Sequence, residues 1–266
     1  MSRRSEAPRV TILLAARDRL ALLRRAVASA LQQEFDDFDV LVVDDGSGDA
    51  TRRWLDARAD REPRLRVLHQ PPRGIAAARQ AGLLAARGEL VCILDSDDEL
   101  ASDALRRIVT FFDGEPPPDL VYTDYWVVRE DGSRERVRLP DFTDNDHMIR
   151  ATLVRPRVPF KHSGTTFRRD AALAVGGYDE SLALKVDVDL YLRFLSAGLR
   201  VKHVDQPVVS FLMHRASVSR RRLAGIRVWS RLIDRYAPPN PLARAWYRAA
   251  RFTAEGLKAV YERAAL

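Results

Sequence analysis

Through the first hundred residues, short apolar runs alternate with stretches in which apolar residues recur at helical spacing. Residues 10–15, 40–43, 65–68 and 90–94 are predominantly apolar and read as strands. Between the first two, Leu22, Leu23, Ala26, Val27, Ala30 and Leu31 mark one face of a helix. Residues 51–59 and 75–86 predict two further helices, the second closed by Gly88. Strands that are apolar on both faces and separated by helices imply a parallel sheet covered on both sides. The expected class is therefore α/β, Rossmann-like, with a mostly parallel central sheet flanked by helices.

The second half changes character. Residues 120–128 form a long apolar run, and Glu130-Asp131-Gly132-Ser133 predicts a hairpin turn into a polar strand near Val137. Pro156 and Pro159 mark an irregular stretch, and Thr165-Thr166-Phe167-Arg168 precedes a short helix. Residues 188–197 read as a helix, and 200–204 and 207–213 as two extended pieces. Two C-terminal helices follow, broken at Ala237-Pro238-Pro239-Asn240-Pro241. With no internal repeat and no low-complexity linker, the pattern predicts one continuous domain over 1–219 and a helical extension over 220–266.

The 266 residues are 46% hydrophobic and 30% charged, which excludes wholesale disorder. A single cysteine, Cys92, excludes an intramolecular disulfide framework and a cysteine-based zinc site, and suits a reducing cytosol. No apolar stretch approaches the roughly 18 residues of a bilayer span, and the N-terminus lacks an apolar signal-like region. The expected location is cytoplasmic. Charge is uneven: from Arg215 onward there are 12 Lys/Arg against 3 Asp/Glu, whereas the rest of the chain is slightly acidic. A nucleic-acid enzyme carries its basic surface on the main domain, so no nucleic-acid partner is expected. In the tail, Arg220, Arg221, Arg222, Arg227, Arg231 and Arg235 accompany Leu223, Ile226, Val228, Trp229, Leu232 and Ile233. That mixture predicts peripheral contact with an anionic membrane at its inner face, or else a solvated arginine-rich helix packed on the domain.

In open α/β sheets, ligands bind beyond the carboxyl ends of the strands. Neither G-x-G-x-x-G after the first strand nor a P-loop is present. Instead the second strand ends in Asp44-Asp45 and the fourth in Asp95-Ser96-Asp97-Asp98. Three clustered acids repel one another unless a cation neutralises them. Hard oxygen ligands suit Mg²⁺ or Mn²⁺, which share their sites with substrate phosphates. Capping of the helix that follows accounts for Asp98 or Ser102 but not for all three acids.

Five segments in order carry a resemblance. They are Val10-Thr11-Ile12-Leu13-Leu14-Ala15-Ala16-Arg17-Asp18-Arg19, Val42-Val43-Asp44-Asp45-Gly46-Ser47, Gly74-Ile75-Ala76-Ala77-Ala78-Arg79-Gln80-Ala81-Gly82, Leu94-Asp95-Ser96-Asp97-Asp98 and Val175-Gly176-Gly177-Tyr178-Asp179-Glu180. Together, from about Arg9 to Ser219, they resemble the family-2 glycosyltransferases of GT-A fold. The resemblance implies a nucleotide-sugar-binding half over 9–112 and an acceptor-binding half over 113–219. It implies a DXD metal motif at Asp95 and Asp97, with Asp98 as an extra acid, and Mn²⁺ or Mg²⁺ as cofactor. Ala15, Arg17, Asp45, Arg79, Asp95 and Ser96 fall on nucleotide-sugar-binding positions. Asp187, in Val186-Asp187-Val188-Asp189-Leu190, falls on the catalytic base, and His214 resembles a histidine that some relatives place near the metal or diphosphate.

Three positions depart from the family pattern. Arg17 stands where a tyrosine often stacks on uracil, a role a guanidinium also serves, Gln80 replaces a common asparagine, and Val186 stands where a glutamate precedes the base. Asp189 lies about 200° round a helix from Asp187 and is placed to pair with Arg193. The implied function is inverting transfer of a sugar from a nucleotide-diphosphate donor (UDP foremost, GDP or dTDP as alternatives). The acceptor would be a glycan, a lipid-linked saccharide or another envelope precursor. A sugar-phosphate nucleotidyltransferase and a non-catalytic sugar-nucleotide-binding scaffold are the alternatives.

Overall fold

The computed structural model describes residues 7–212 and 222–264. Within them nine strands form one mixed sheet. Its first part is a parallel unit, β1 (Val10–Ala16), β2 (Phe38–Asp45), β3 (Leu65–Gln70) and β4 (Leu90–Ile93), connected through α1 (Leu20–Leu31), α2 (Asp49–Ala59) and α3 (Ile75–Ala85). After β4 come β5 (Asp98–Leu100), α4 (Ala104–Phe112), β6 (Leu120–Val128), β7 (Arg134–Val137) and α5 (Asn145–Val154). Then follow β8 (Thr166–Arg168), α6 (Arg169–Ala174), α7 (Val186–Ser196) and β9 (Val201–Leu212), and finally α8 (Arg222–Tyr236) and α9 (Pro241–Ala264). The strand order is β3-β2-β1-β4-β8-β6-β9-β5, with β7 beside β6.

The apolar runs build a sheet with two cores because alternate residues serve opposite faces. Ile12, Leu14, Val40 and Val42 pack toward α1, with Leu23, Ala26 and Val27 in the same cluster. Leu13, Leu41 and Val43 face the other cluster, with Ala78 and Leu83 of α3. Close approach there rests on Gly82, where a Cβ would lie 2.3 Å from a Leu13 methyl. All of these residues are buried, as two-sided coverage requires. Since β1, β2 and β4 run parallel, their carboxyl ends open on one edge.

Three regions differ from expectation. The two extended pieces form one strand, β9, parallel to β6 with an irregularity between Thr123 and Tyr125. Asp124 in that irregularity is fully buried and held by Arg136 at 2.8 Å, His203 at 2.8 Å and the Leu139 amide at 2.9 Å. The acidic loop after β4 runs straight into β5, which pairs antiparallel with β9 and places Asp98 opposite Phe211. Neither Asp98 nor Ser102 caps α4: Asp103 occupies that position, the Ser102 hydroxyl donates to Glu34, and the Gln33 side chain accepts the Leu105 amide. Helix α5 was hidden by a mixed apolar pattern, although Asp144 caps it by accepting the His147 amide at 2.6 Å.

The tail packs on the body. Val228, Trp229, Leu232 and Ile233 of α8 are buried in the same cluster as Leu192 and Leu195 of α7. The apolar residues expected at a lipid surface are therefore core residues, and that expectation is corrected for this face. The contact is polar as well. Asp189, fully buried, receives Arg193 at 2.8 Å, Arg235 at 3.0 Å and the Tyr236 hydroxyl at 2.9 Å. Removing one partner of a buried ion pair typically costs about 3–5 kcal/mol because the other charges stay uncompensated. Asp189→Ala is expected to lower unfolding free energy by about that amount in urea titration, with Asp189→Asn intermediate.

Candidate active site

The acidic ends of the strands serve different purposes. Asp44 accepts the Ser47 amide at 3.0 Å and pairs with His69 at 2.8 Å, and His69 bonds Asp56 at 2.8 Å on its other nitrogen. Burial opposes charge on His69, but these carboxylates outweigh it and raise its pKa above the ordinary 6.5. Both oxygens of Asp45 are engaged: one takes the Gln70 amide group at 2.8 Å and the Arg73 N–H at 2.7 Å, the other the Gly74 N–H at 2.9 Å. Asp45 thereby fixes the turn that starts α3.

After β4, Asp95 bonds Arg79 at 2.7 Å and Asp97 bonds Arg19 at 3.1 Å. Burial alone would raise the Asp95 pKa, but Arg79, reinforced by Lys161, holds it at about 2. Asp98 turns away from these two. It is 1% exposed, its carboxylate lies 3.5 Å from Lys161, and burial beside Asp95 and Asp97 pushes its pKa up to about 7. Of the three acids expected to bind metal, Asp98 therefore lies beneath the loop, paired with a lysine.

Asp95, Ser96 and Asp97 line a cleft of about 920 Å³ with Ala15, Arg17, Asp45 and Arg79. Asp187 lines the same cleft. The helix cap is Lys185, in the left-handed conformation at φ 60°, so Asp187 sits inside the first turn of α7 rather than capping it. Asp189 faces the opposite way, into the Arg193–Arg235 cluster, as the helical angle predicts. The Gly176-Gly177-Tyr178 segment joins the two halves: the Tyr178 N–H donates to Gln80 of α3 at 2.7 Å, and a Cβ on Gly177 would lie 2.2 Å from the same oxygen. His214 lies outside the described residues.

Several cleft residues carried no signal that pattern reading used. Arg157 lies within the irregular Pro156–Pro159 stretch and Lys161 and His162 follow it, and basic residues in such a segment were the available clue. His162 is buried between the Tyr191 hydroxyl at 2.6 Å and the Tyr178 hydroxyl at 3.4 Å; burial, with the Arg79 charge nearby, depresses its pKa to about 3 and keeps it neutral. Gly225, Trp229 and Glu255 reach the cleft from the tail, which helical periodicity presents as a separate unit.

The glycosyl transferase family 2 model matches residues 11–176. The chain belongs to that family. It is 33% identical over 222 residues to the succinoglycan biosynthesis protein ExoO of Rhizobium meliloti, covering 80% of this chain and 63% of that protein. It is 29% identical over 218 residues to the hyaluronan synthase of Pasteurella multocida, covering 81% of this chain and 22% of that one. The chain thus spans less than two thirds of these relatives. Among solved structures, S. aureus TarS 1–349 in complex with UDP-GlcNAc superposes with a TM-score of 0.67 at 17% identity, over 92% of this chain and 72% of that one. The mannosyltransferase PcManGT of Pyrobaculum calidifontis, in complex with GDP-Man and Mn²⁺, superposes at 0.63 and 20% identity, over 97% and 76%. The fold of this family-2 chain is therefore GT-A.

The Asp44–His69–Asp56 cluster makes stability pH-dependent. A histidine whose folded pKa is raised contributes fully below its unfolded value and loses that contribution as pH rises through the folded value. The stability difference between the protein and His69→Asn is expected to be largest below pH 6.5 and to shrink above it. Urea unfolding across that range measures it.

Proposed function

We infer that this chain transfers a sugar from a nucleotide-diphosphate donor to an acceptor hydroxyl, inverting the anomeric carbon. The reading rests on one observation: the Asp95-Ser96-Asp97 loop and Asp187, brought from different halves of the chain, line a single cleft. The donor's nucleoside lies along Ala15, Arg17 and Asp45, with the Arg17 guanidinium available to stack on the base. Asp45 supports this pocket by holding the Arg73–Gly74 backbone. The favoured donor is a UDP-sugar, with GDP or dTDP sugars as the other candidates. The acceptor class is a glycan, a lipid-linked saccharide or a related envelope precursor, in keeping with relatives named for polysaccharide synthesis.

Asp95 and Asp97 fit Mn²⁺ or Mg²⁺. They offer hard oxygens two residues apart on a cleft-lining loop, and Mg²⁺ commonly takes one or two carboxylates with substrate phosphates completing the set. Among the described residues there is no cluster of three protein ligands, which agrees with a site shared with the donor. When bound, the ion neutralises the charge developing on the departing nucleoside diphosphate. Arg79, beside Asp95, adds a fixed positive charge to the same region. Asp187 accepts the proton of the acceptor hydroxyl as that oxygen attacks in line, opposite the leaving diphosphate. Inversion follows from a single displacement.

Binding and hydrolysis of a nucleotide-sugar panel with Mn²⁺ and Mg²⁺ test the reading and name the donor. No binding of any nucleotide sugar under either ion overturns it. Asp97→Ala should abolish metal-stimulated donor turnover while leaving the fold intact, as circular dichroism would report. Asp187→Asn should keep donor binding and lose about 10²- to 10⁴-fold in transfer. Unchanged transfer in that variant removes Asp187 from the role of base.

A further inference from the structure

Helix α9 is amphipathic in the reverse of the usual sense. From 242 to 256 the exposed residues are Leu242, Ala245, Trp246, Ala249, Phe252, Thr253 and Gly256, with no charged side chain among them. At 100° per residue they occupy an arc of about 120° and run about 21 Å along the helix. Leu242 is 82% exposed and Trp246 60%. The charged residues of the same span lie on the other side, and three of the four are engaged there: Arg248 pairs with Asp234 of α8, and buried Arg251 stacks over Trp229 at 3.4 Å and bonds Glu255 at 2.7 Å. A solvated helix places its charges outward. This one spends them on its neighbours and leaves an apolar ridge facing solvent.

The adjoining helix supplies the second part of the surface. With its apolar face buried, α8 exposes Arg227 and Arg231, and neither forms an ion pair among the described residues. An exposed Trp and Leu ridge on α9 and exposed arginines on α8, two helices tied by the Arg248–Asp234 pair, match the chemistry of an anionic bilayer surface. The indole and leucine enter the boundary between headgroups and acyl chains, and the guanidiniums meet the lipid phosphates. We propose that the outer face of the α8–α9 hairpin seats the protein on an anionic lipid surface, with Leu242 and Trp246 inserting and Arg227 and Arg231 contacting headgroups. The Trp246 ring meets buried Tyr247 edge-on at 5.1 Å between centroids. The charge argument favours lipid over a second copy of the chain, because a symmetric contact would bring the arginines of both copies together.

The proposal is independent of the transferase reading and is tested without a donor or an acceptor. The protein is sedimented with vesicles of phosphatidylcholine alone and with vesicles that also contain phosphatidylglycerol, at low and high salt. Preferential binding to the anionic vesicles, weakened by salt, is expected. Leu242→Glu/Trp246→Glu should reduce it at least about tenfold, and Arg227→Glu/Arg231→Glu should remove the anionic preference. Circular dichroism checks folding, and Leu242→Ala/Trp246→Ala serves as the milder pair. Equal binding to both vesicles, no binding, or binding unchanged by either apolar pair overturns the proposal. So does a concentration-dependent dimer, seen by analytical ultracentrifugation, that the apolar substitutions dissociate.

Discussion

The buried carboxylate of Asp189 receives two guanidiniums and a phenol, and the rotation of α7 about its own axis follows from those contacts. Because Asp187 is two residues away on the same helix, holding Asp189 against α8 directs Asp187 into the cleft. Arg193 extends the hold by donating to the Val175 carbonyl, just before the double glycine that reaches Gln80 on α3. One anchored charge thus orders α7, α8 and the junction with the nucleotide half. The proposed base is kept in place by side chains that do not line the cleft.

The same economy governs the acidic loop. Asp95, Asp97 and Asp98 follow one buried strand, and Arg79, Arg19 and Lys161 stand opposite them, each from a different segment. Arg79 keeps Asp95 ionised despite burial, whereas Asp98, deeper and beside two other acids, titrates near neutrality. The acids of the loop are therefore each met by one of the protein's own cations.

The parallel half was legible because strands apolar on both faces have few alternative readings, and Leu13 and Ile12 do face opposite cores as such strands require. The acids at the strand ends were legible because parallel strands share one edge. Asp187 was singled out by the family resemblance, and its opposition to Asp189 followed from helical geometry. The sequence was silent where long-range pairing decides structure. β5 is three residues long and exists by pairing with β9, more than a hundred residues away. Asp98 looks identical to its neighbours in a string of acids, and only Lys161, supplied by a distant loop, separates it from them. The amphipathic pattern of α8 was read correctly, but periodicity does not say what covers an apolar face. The covering here is α7 and the core.

The cleft is assembled from stretches that stay well apart along the chain. Residues proposed to hold the nucleotide precede position 100, the proposed base stands at 187, and Trp229 and Glu255 line the wall from the last two helices. Such an ordering lends itself to exchange. A recombination point between β6 and α7 would join the first part of the cleft to a new second wall, and Asp189 would travel with the arginines that meet it, since all of them lie on α7 and α8. Descendants of one ancestral gene could then diverge in what they build, and the fit of Gln80 against Gly177 and Tyr178, which joins the two halves, would record which of them have travelled together.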